Sequence, residues 1–230
     1  MIKKVICISA IGLFPVAGLS QIHTIISPNY SLKSHETLEI KKIESGSKAT
    51  IFYMSIENRI AGGEFCADKN IFLLYPDGKR SKLGSSTGIP VCPEKYKFKA
   101  PGEKLDFVLE FPPLKSGSEW VDLIEDCSDN CFSFYGISLN SSINKRIDDA
   151  FAFAASGNET KALTVFISIA GGIDKNNRGI EGLLYINIIK LARETGDDAK
   201  AEEWYKKFKL SDAPRLSAYL KYLNDQGMKY

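Results

Sequence analysis

Near residue 143 the spacing of apolar side chains changes from every second residue to every third or fourth, which divides the chain into two kinds of structure. Before that point the apolar segments are short, β-branched and aromatic, and turns follow at close intervals. Residues 50–56 and 71–75 are mostly apolar runs of the length of buried strands. After Tyr75, the sequence Pro76-Asp77-Gly78-Lys79 predicts a turn and a hairpin, because proline presets one dihedral and Gly78 takes the left-handed one. In residues 105–111, Leu105, Phe107, Leu109 and Phe111 alternate with mostly polar partners, a half-buried strand stopped by Pro112 and Pro113. Residues 120–125 and 132–139 read as two more strands, the second with Phe132 and Phe134 on one face and Tyr135, Ile137 and Leu139 on the other. With residues 22–27, 38–43 and 96–98, the pattern predicts about seven to nine short strands, whose natural closure is an antiparallel β-sandwich of immunoglobulin-like style over residues 21–142.

Beyond Ser142 the helical period takes over. Ile143, Ile147, Phe151 and Ala154 share one face, and Gly157 ends that helix as a left-handed cap. Asn158 caps a second helix carrying Ala162, Leu163, Phe166, Ile167 and Ala170, followed by a polar loop over residues 171–179. A third helix holds Leu184, Tyr185, Ile188, Leu191 and Ala192, and Gly196-Asp197 repeats the stop and the cap. The fourth presents Ala201, Trp204, Tyr205 and Phe208, and Ser211, Asp212 and Pro214 open a fifth with Leu216, Leu220 and Leu223.

Gly157-Asn158 and Gly196-Asp197 lie 39 residues apart, as do Ala162 and Ala201, and Phe166 and Tyr205. A glycine turn, a small residue five further on and an aromatic four beyond that resemble the tetratricopeptide-repeat helical hairpin. The strict repeat is about 34 residues, and the extra residues fit the loop at 171–179. The resemblance implies a helical domain over residues 143–230 that offers a groove between helix pairs to a protein partner, and that leans on the strands or on a partner because two repeats bury little alone.

The N-terminus supplies an address. Lys3 and Lys4 precede a mostly apolar run from Val5 to Phe14, and Gly18 and Ser20 follow as small residues before Gln21. This is the grammar of a secretory signal peptide over residues 1–20, cleaved between Ser20 and Gln21. The run is shorter than the roughly 20 residues a spanning helix needs, and Pro15 breaks it, so no integral membrane segment is expected after cleavage. Cleavage removes two lysines and no acids, so the 30 basic and 28 acidic residues of the whole chain become 28 of each. A chain so balanced has no general electrostatic attraction for nucleic acid or anionic membrane, and neither is expected as a partner.

Cys7 leaves with the signal, and Cys66, Cys92, Cys127 and Cys131 remain. An even number in an exported protein points to disulfides, with three possible connectivities. Pairing of chain neighbours favours Cys66–Cys92 and Cys127–Cys131, the first loop contributing about 3–4 kcal/mol by chain entropy. The alternative for Cys127-Ser-Asp-Asn-Cys131 is redox or metal chemistry, but three intervening residues depart from Cys-x-x-Cys, and no histidine follows.

Catalytic signals are sparse. The two histidines, His23 and His35, are twelve residues apart, and neither a Gly-x-Ser-x-Gly elbow nor a His-Glu-x-x-His helix is present. Residues 174–179 imitate the start of a calcium loop, but Arg178 stands at a ligand position and Tyr185 where the closing glutamate belongs. Glu125, Asp126 and Asp129 crowd the second cysteine pair, as a polar loop tip or as a carboxylate cluster. Trp120 is either core beside Val121, Leu123 and Ile124 or a platform for stacking a sugar. Asn29, Asn140 and Asn158 begin glycosylation sequons. No catalytic, cofactor or metal residue is assigned. The expectation is an α+β, exported, non-catalytic scaffold or binding protein of the bacterial envelope that contacts another envelope protein. The alternatives are carbohydrate or small-ligand binding by the sandwich, and a hydrolase of unrecognised type.

Overall fold

The structure, a computed structural model, describes residues 22–173 and 175–230. The signal peptide over residues 1–20, its cleavage point and Cys7 lie outside the described residues. The chain is α+β, with two antiparallel sheets followed by five α-helices. Among the described residues twelve strands run in chain order: β1 His23–Ile26, β2 Leu32–Lys33, β3 Leu38–Ser45, β4 Thr50–Glu57, β5 Glu64–Phe65, β6 Ile71–Leu74, β7 Arg80–Lys82, β8 Ser85–Thr87, β9 Tyr96–Lys97, β10 Lys104–Phe111, β11 Trp120–Glu125 and β12 Ser133–Ser138. The first sheet has the order β1-β3-β4-β10-β8 and the second β2-β12-β11-β6-β7, while β5 and β9 form a separate pair. The count exceeds the sequence expectation because β2 and β5 are two-residue pairings, too short to show a period, and β8 is three hydroxyl residues with no apolar pattern.

The long strands follow their pattern. In β10 every second residue, Leu105, Phe107, Leu109 and Phe111, is buried. Ile43, Phe52 and Leu109 of the first sheet and Leu73, Val121 and Phe134 of the second enter one buried cluster. The hairpin predicted at Pro76-Asp77-Gly78 is present, pairing Phe72 with Lys82 and Leu74 with Arg80, with Gly78 at φ 77°.

The two-faced reading of residues 132–139 does not hold. Val121 lies opposite Ile137 and Leu123 opposite Phe134, so Asp122 faces both Tyr135 and Gly136 in a bulge. Gly136, at φ 63°, supplies the left-handed residue that shifts the alternation by one. Phe132 and Phe134 before it and Ile137 and Leu139 after it therefore share the same core, and Tyr135 stays outside.

Five α-helices follow: α1 Ser141–Ala155, α2 Glu159–Gly172, α3 Glu181–Glu194, α4 Asp198–Lys209 and α5 Leu216–Asp225, with a 3₁₀ turn at Lys175–Ile180. Successive helices pack on one another from α1 to α4, and Ile147, Ala162, Phe166, Ile188, Ala201, Trp204 and Phe208 form their shared core. Both predicted stops have the same geometry. Gly157 and Gly196 have φ 76° and 77°, Asn158 N donates to Phe153 O at 2.9 Å, and Asp197 N donates to Ala192 O at 2.8 Å. Each residue then caps the next helix, Asn158 Oδ1 accepting from Lys161 N and Asp197 Oδ1 from Lys200 N. A third stop, unread in the sequence, ends α5: Gly227 has φ 74°, and Met228 N donates to Leu223 O at 2.9 Å. The start of α5 also departs from expectation. Ser211 and Asp212 do not cap it; Arg215, at φ 61°, directly precedes Leu216, and Asp212 pairs instead with Arg178 at 3.3 Å.

Candidate functional site

The helices meet the second sheet along β11, β12 and the 3₁₀ turn. Asp122, in the middle of β11, is 4% exposed. Its Oδ1 accepts from Gly136 N at 2.7 Å and its Oδ2 from Arg215 Nη2 at 2.5 Å. The guanidinium of Arg215 lies over the Tyr135 ring, 3.7 Å from its centroid. One charge pair thus joins the bulge to the left-handed residue before α5.

Glycines allow the backbones to close on this joint. A Cβ on Gly136 would sit 2.0 Å from Gly179 O, and one on Gly179 would sit 2.2 Å from Trp120 Cδ2. Ser31 Oγ donates to the same Gly179 carbonyl at 2.7 Å. Tyr219 of α5 packs its ring over Gly182, and burial, with a smaller rise from Asp122, pushes its phenol up to about 12 against hydrogen bonding by Ser31 and the charge of Arg215. A second brace lies to one side. Asn29 N donates to Asn144 Oδ1 at 3.1 Å, Asn29 Nδ2 to Asp148 Oδ1 at 2.9 Å, and Asn144 Nδ2 to Ser138 O at 3.0 Å.

Beside that brace the two parts leave a cleft of about 370 Å³. Asn29, Tyr30, Glu39 and Ile40 line it from the strands, and Phe151 and Leu183 from α1 and α3. Phe151 is 37% exposed, with its ring edge-on to Phe166 at 5.2 Å. The sequence places Phe151 on the buried face of its helix with Ile147; the structure buries Ile147 and leaves Phe151 at the cleft. An aromatic wall beside an amide and a carboxylate suits an apolar side chain whose flanking backbone needs hydrogen-bond partners. No sequence signal marks this cleft, because its lining comes from segments far apart in the chain.

The cysteines pair as expected, Cys66 with Cys92 at a Cα separation of 5.3 Å and Cys127 with Cys131 at 5.6 Å. Disulfides of this kind are typical of exported proteins. Cys66, Cys92 and Cys127 line a single cleft of about 320 Å³ together with Glu64, Asp68 and Asp129. Glu125, 6% exposed, ties the two disulfide loops, its Oε1 accepting from Asp68 N at 2.7 Å and its Oε2 from Phe132 N at 2.9 Å. Burial raises its carboxyl above the ordinary value, and those two N–H groups pull the other way. Carboxylates around the sulfurs disfavour a thiolate, which slows exchange and suits two structural links.

The remaining sequence candidates are scattered. Trp120 is 7% exposed and covered by Gly179, so its ring is packed against the chain. His23 Nε2 shares a hydrogen bond of 2.9 Å with Ser141 Oγ, and His35 Nδ1 one of 2.8 Å with Ser34 Oγ. Among the described residues no carboxylate bonds either imidazole, so a relay of serine, histidine and acid is not assembled around them. Asp174 lies outside the described residues, and Arg178, at the ligand position of the calcium-like stretch, pairs with Asp212. Among the described residues no group of three or more His, Cys, Asp and Glu side chains is placed to hold a metal ion. Nor, among them, is any helix long and apolar enough to cross a membrane. Asn140 and Asn158 serve as helix caps, accepting from Ile143 N and Lys161 N.

The fold and these sites define an α+β protein with two disulfides and a cleft where its sheets and helices meet. No protein family, curated protein or solved structure matches the chain. Its function has to come from the chemistry of its own surfaces.

Proposed function

We propose that the chain is an exported, non-catalytic binding or scaffold protein of the bacterial envelope, built as a β-sandwich over residues 21–142 and a tetratricopeptide-like helical domain over residues 143–230. It takes a segment of another envelope protein into the cleft between the two. The observation that carries this reading is that the cleft is shared: Tyr30 and Ile40 come from one part, Phe151 and Leu183 from the other. The Asp122–Arg215 pair and the Asn29–Asn144 brace hold those walls in place, so a bound segment need not order them, which favours affinity. The matching stops at Gly157 and Gly196 support the tetratricopeptide-like assignment, and the cluster shared by both sheets supports the sandwich.

The test is recovery of partners from envelope extract with the whole exported protein and with its Phe151→Glu variant. The expected result is a defined partner held by the former and at least about tenfold weaker with the latter, a change of about 1.4 kcal/mol. Recovery of the same proteins by both, or of none by either, would count against the reading.

A further inference from the structure

Strand β1 forms one edge of the first sheet. Ser27 N donates to Lys41 O at 2.9 Å, so by the alternation of an antiparallel ladder residues 23 and 25 also turn their backbone groups to β3. Ile22, Thr24 and Ile26 then turn theirs to the outer edge, which no strand among the described residues pairs. The same three residues carry the side chains of the outer face: Ile25 is 5% exposed in the core, while Ile22 and Ile26 are 65% and 64% exposed. No charge, proline or bulge interrupts residues 22–26. The other edges are guarded: β7 carries Arg80 and Lys82, β8 consists of hydroxyl residues, and β2 is two residues long.

The spacing is symmetric about Thr24, with isoleucine two residues before and two after. We propose that a second copy of this chain pairs with β1 about a two-fold axis, Thr24 opposite Thr24 of its partner and each Ile22 opposite the partner's Ile26. In that register the residues with outward backbone groups meet one another. Each of the three pairs exchanges two backbone hydrogen bonds, and the exposed isoleucines cover each other on one continuous outer face. A register centred on Ile25 would set Thr24 against Ile26 and leave Ile22 uncovered. The symmetric spacing makes the edge its own complement, which is why the occupant is a second copy. So short a strand buries less than the roughly 1,200 Å² of a stable complex, so the dimer is reversible and concentration-dependent.

Sedimentation equilibrium of the purified protein between about 10 and 500 µM tests this, with an expected dissociation constant within about that range. Thr24→Pro, which removes an outward N–H, and Ile26→Lys, which places a charge on the edge, are each expected to weaken association at least about tenfold. Their thermal midpoints should stay near the parent's, since neither position bonds to β3. Lys82→Ala on the opposite sheet's edge should leave association unchanged. A protein monomeric throughout the range, or a dimer indifferent to both edge variants, overturns the proposal. So does binding of a synthetic peptide copying residues 21–27 without self-association, since the edge would then accept a strand but not a second copy.

Discussion

Glu181 shows most plainly what one buried charge costs. It opens α3, its Oε2 is buried, and no donor among the described residues reaches that oxygen. Burial raises its carboxyl above the usual 4.5, with Arg178 opposing and Asp212 adding to the rise. A carboxyl raised on folding binds more protons in the native than in the unfolded state, so its contribution to stability falls as pH climbs through the window above 4.5. Glu181→Gln carries no charge to bury. The variant is expected to match the parent near pH 4 and to become the more stable of the two as pH rises toward 7, by less than about 1 kcal/mol because the group is partly solvated. Denaturant unfolding at several pH values measures the difference, and a difference independent of pH would refute it. Asp122 is a contrasting case. Its charge inside an apolar strand is visible in the sequence, but its partner Arg215 lies 93 positions away, and nothing local announces the pairing.

At the scale of elements, what the chain announces is local chemistry. Gly157-Asn158 and Gly196-Asp197 were legible because each stop is a left-handed glycine followed by a side chain that accepts from an N–H three residues on. The chain-neighbour disulfides and the β10 alternation were legible for the same reason. The Gly136 bulge was not, since a single glycine in a strand does not say whether it interrupts the alternation. The two caps carry a paired prediction. Asn158→Ala and Asp197→Ala should each cost about 1 kcal/mol, and their sum should hold in the double variant, because the turns lie at separate helix junctions. Asp197→Ala should cost the more, since Asp197 also pairs with Lys200, the contact that draws its carboxyl below the usual value. Equilibrium unfolding of the three variants checks both points, and a cost at one cap alone would show that the junctions are not equivalent.

For the whole molecule the decisive question is whether sheets and helices unfold together. Each part has its own buried cluster, so each has the means to melt separately. Against that stand the links that cross between them: Asp122 with Arg215, Asn29 with Asn144, and Ser31 with Gly179. The first joins a buried carboxylate to a partly exposed guanidinium; removing one partner of a fully enclosed pair leaves a charge without compensation, at a cost of about 3–5 kcal/mol. Arg215 is 31% exposed at its side chain, so water can reach Asp122 once the guanidinium is gone, and the cost of Arg215→Ala should fall nearer 2 kcal/mol. The two tryptophans make the consequence observable, because Trp120 belongs to β11 and Trp204 to α4. In the parent protein, thermal melts followed through each tryptophan, with the other replaced by phenylalanine, should coincide. In Arg215→Ala the Trp204 transition should move to lower temperature than the Trp120 transition, because α5 and the helices behind it lose their anchor on the sheet. Coincident melts in the variant would show that the glycine contacts and the Asn29 brace join the parts without the ion pair. Separate melts in the parent would show that the cleft walls move independently, and a preformed site between them would then be untenable.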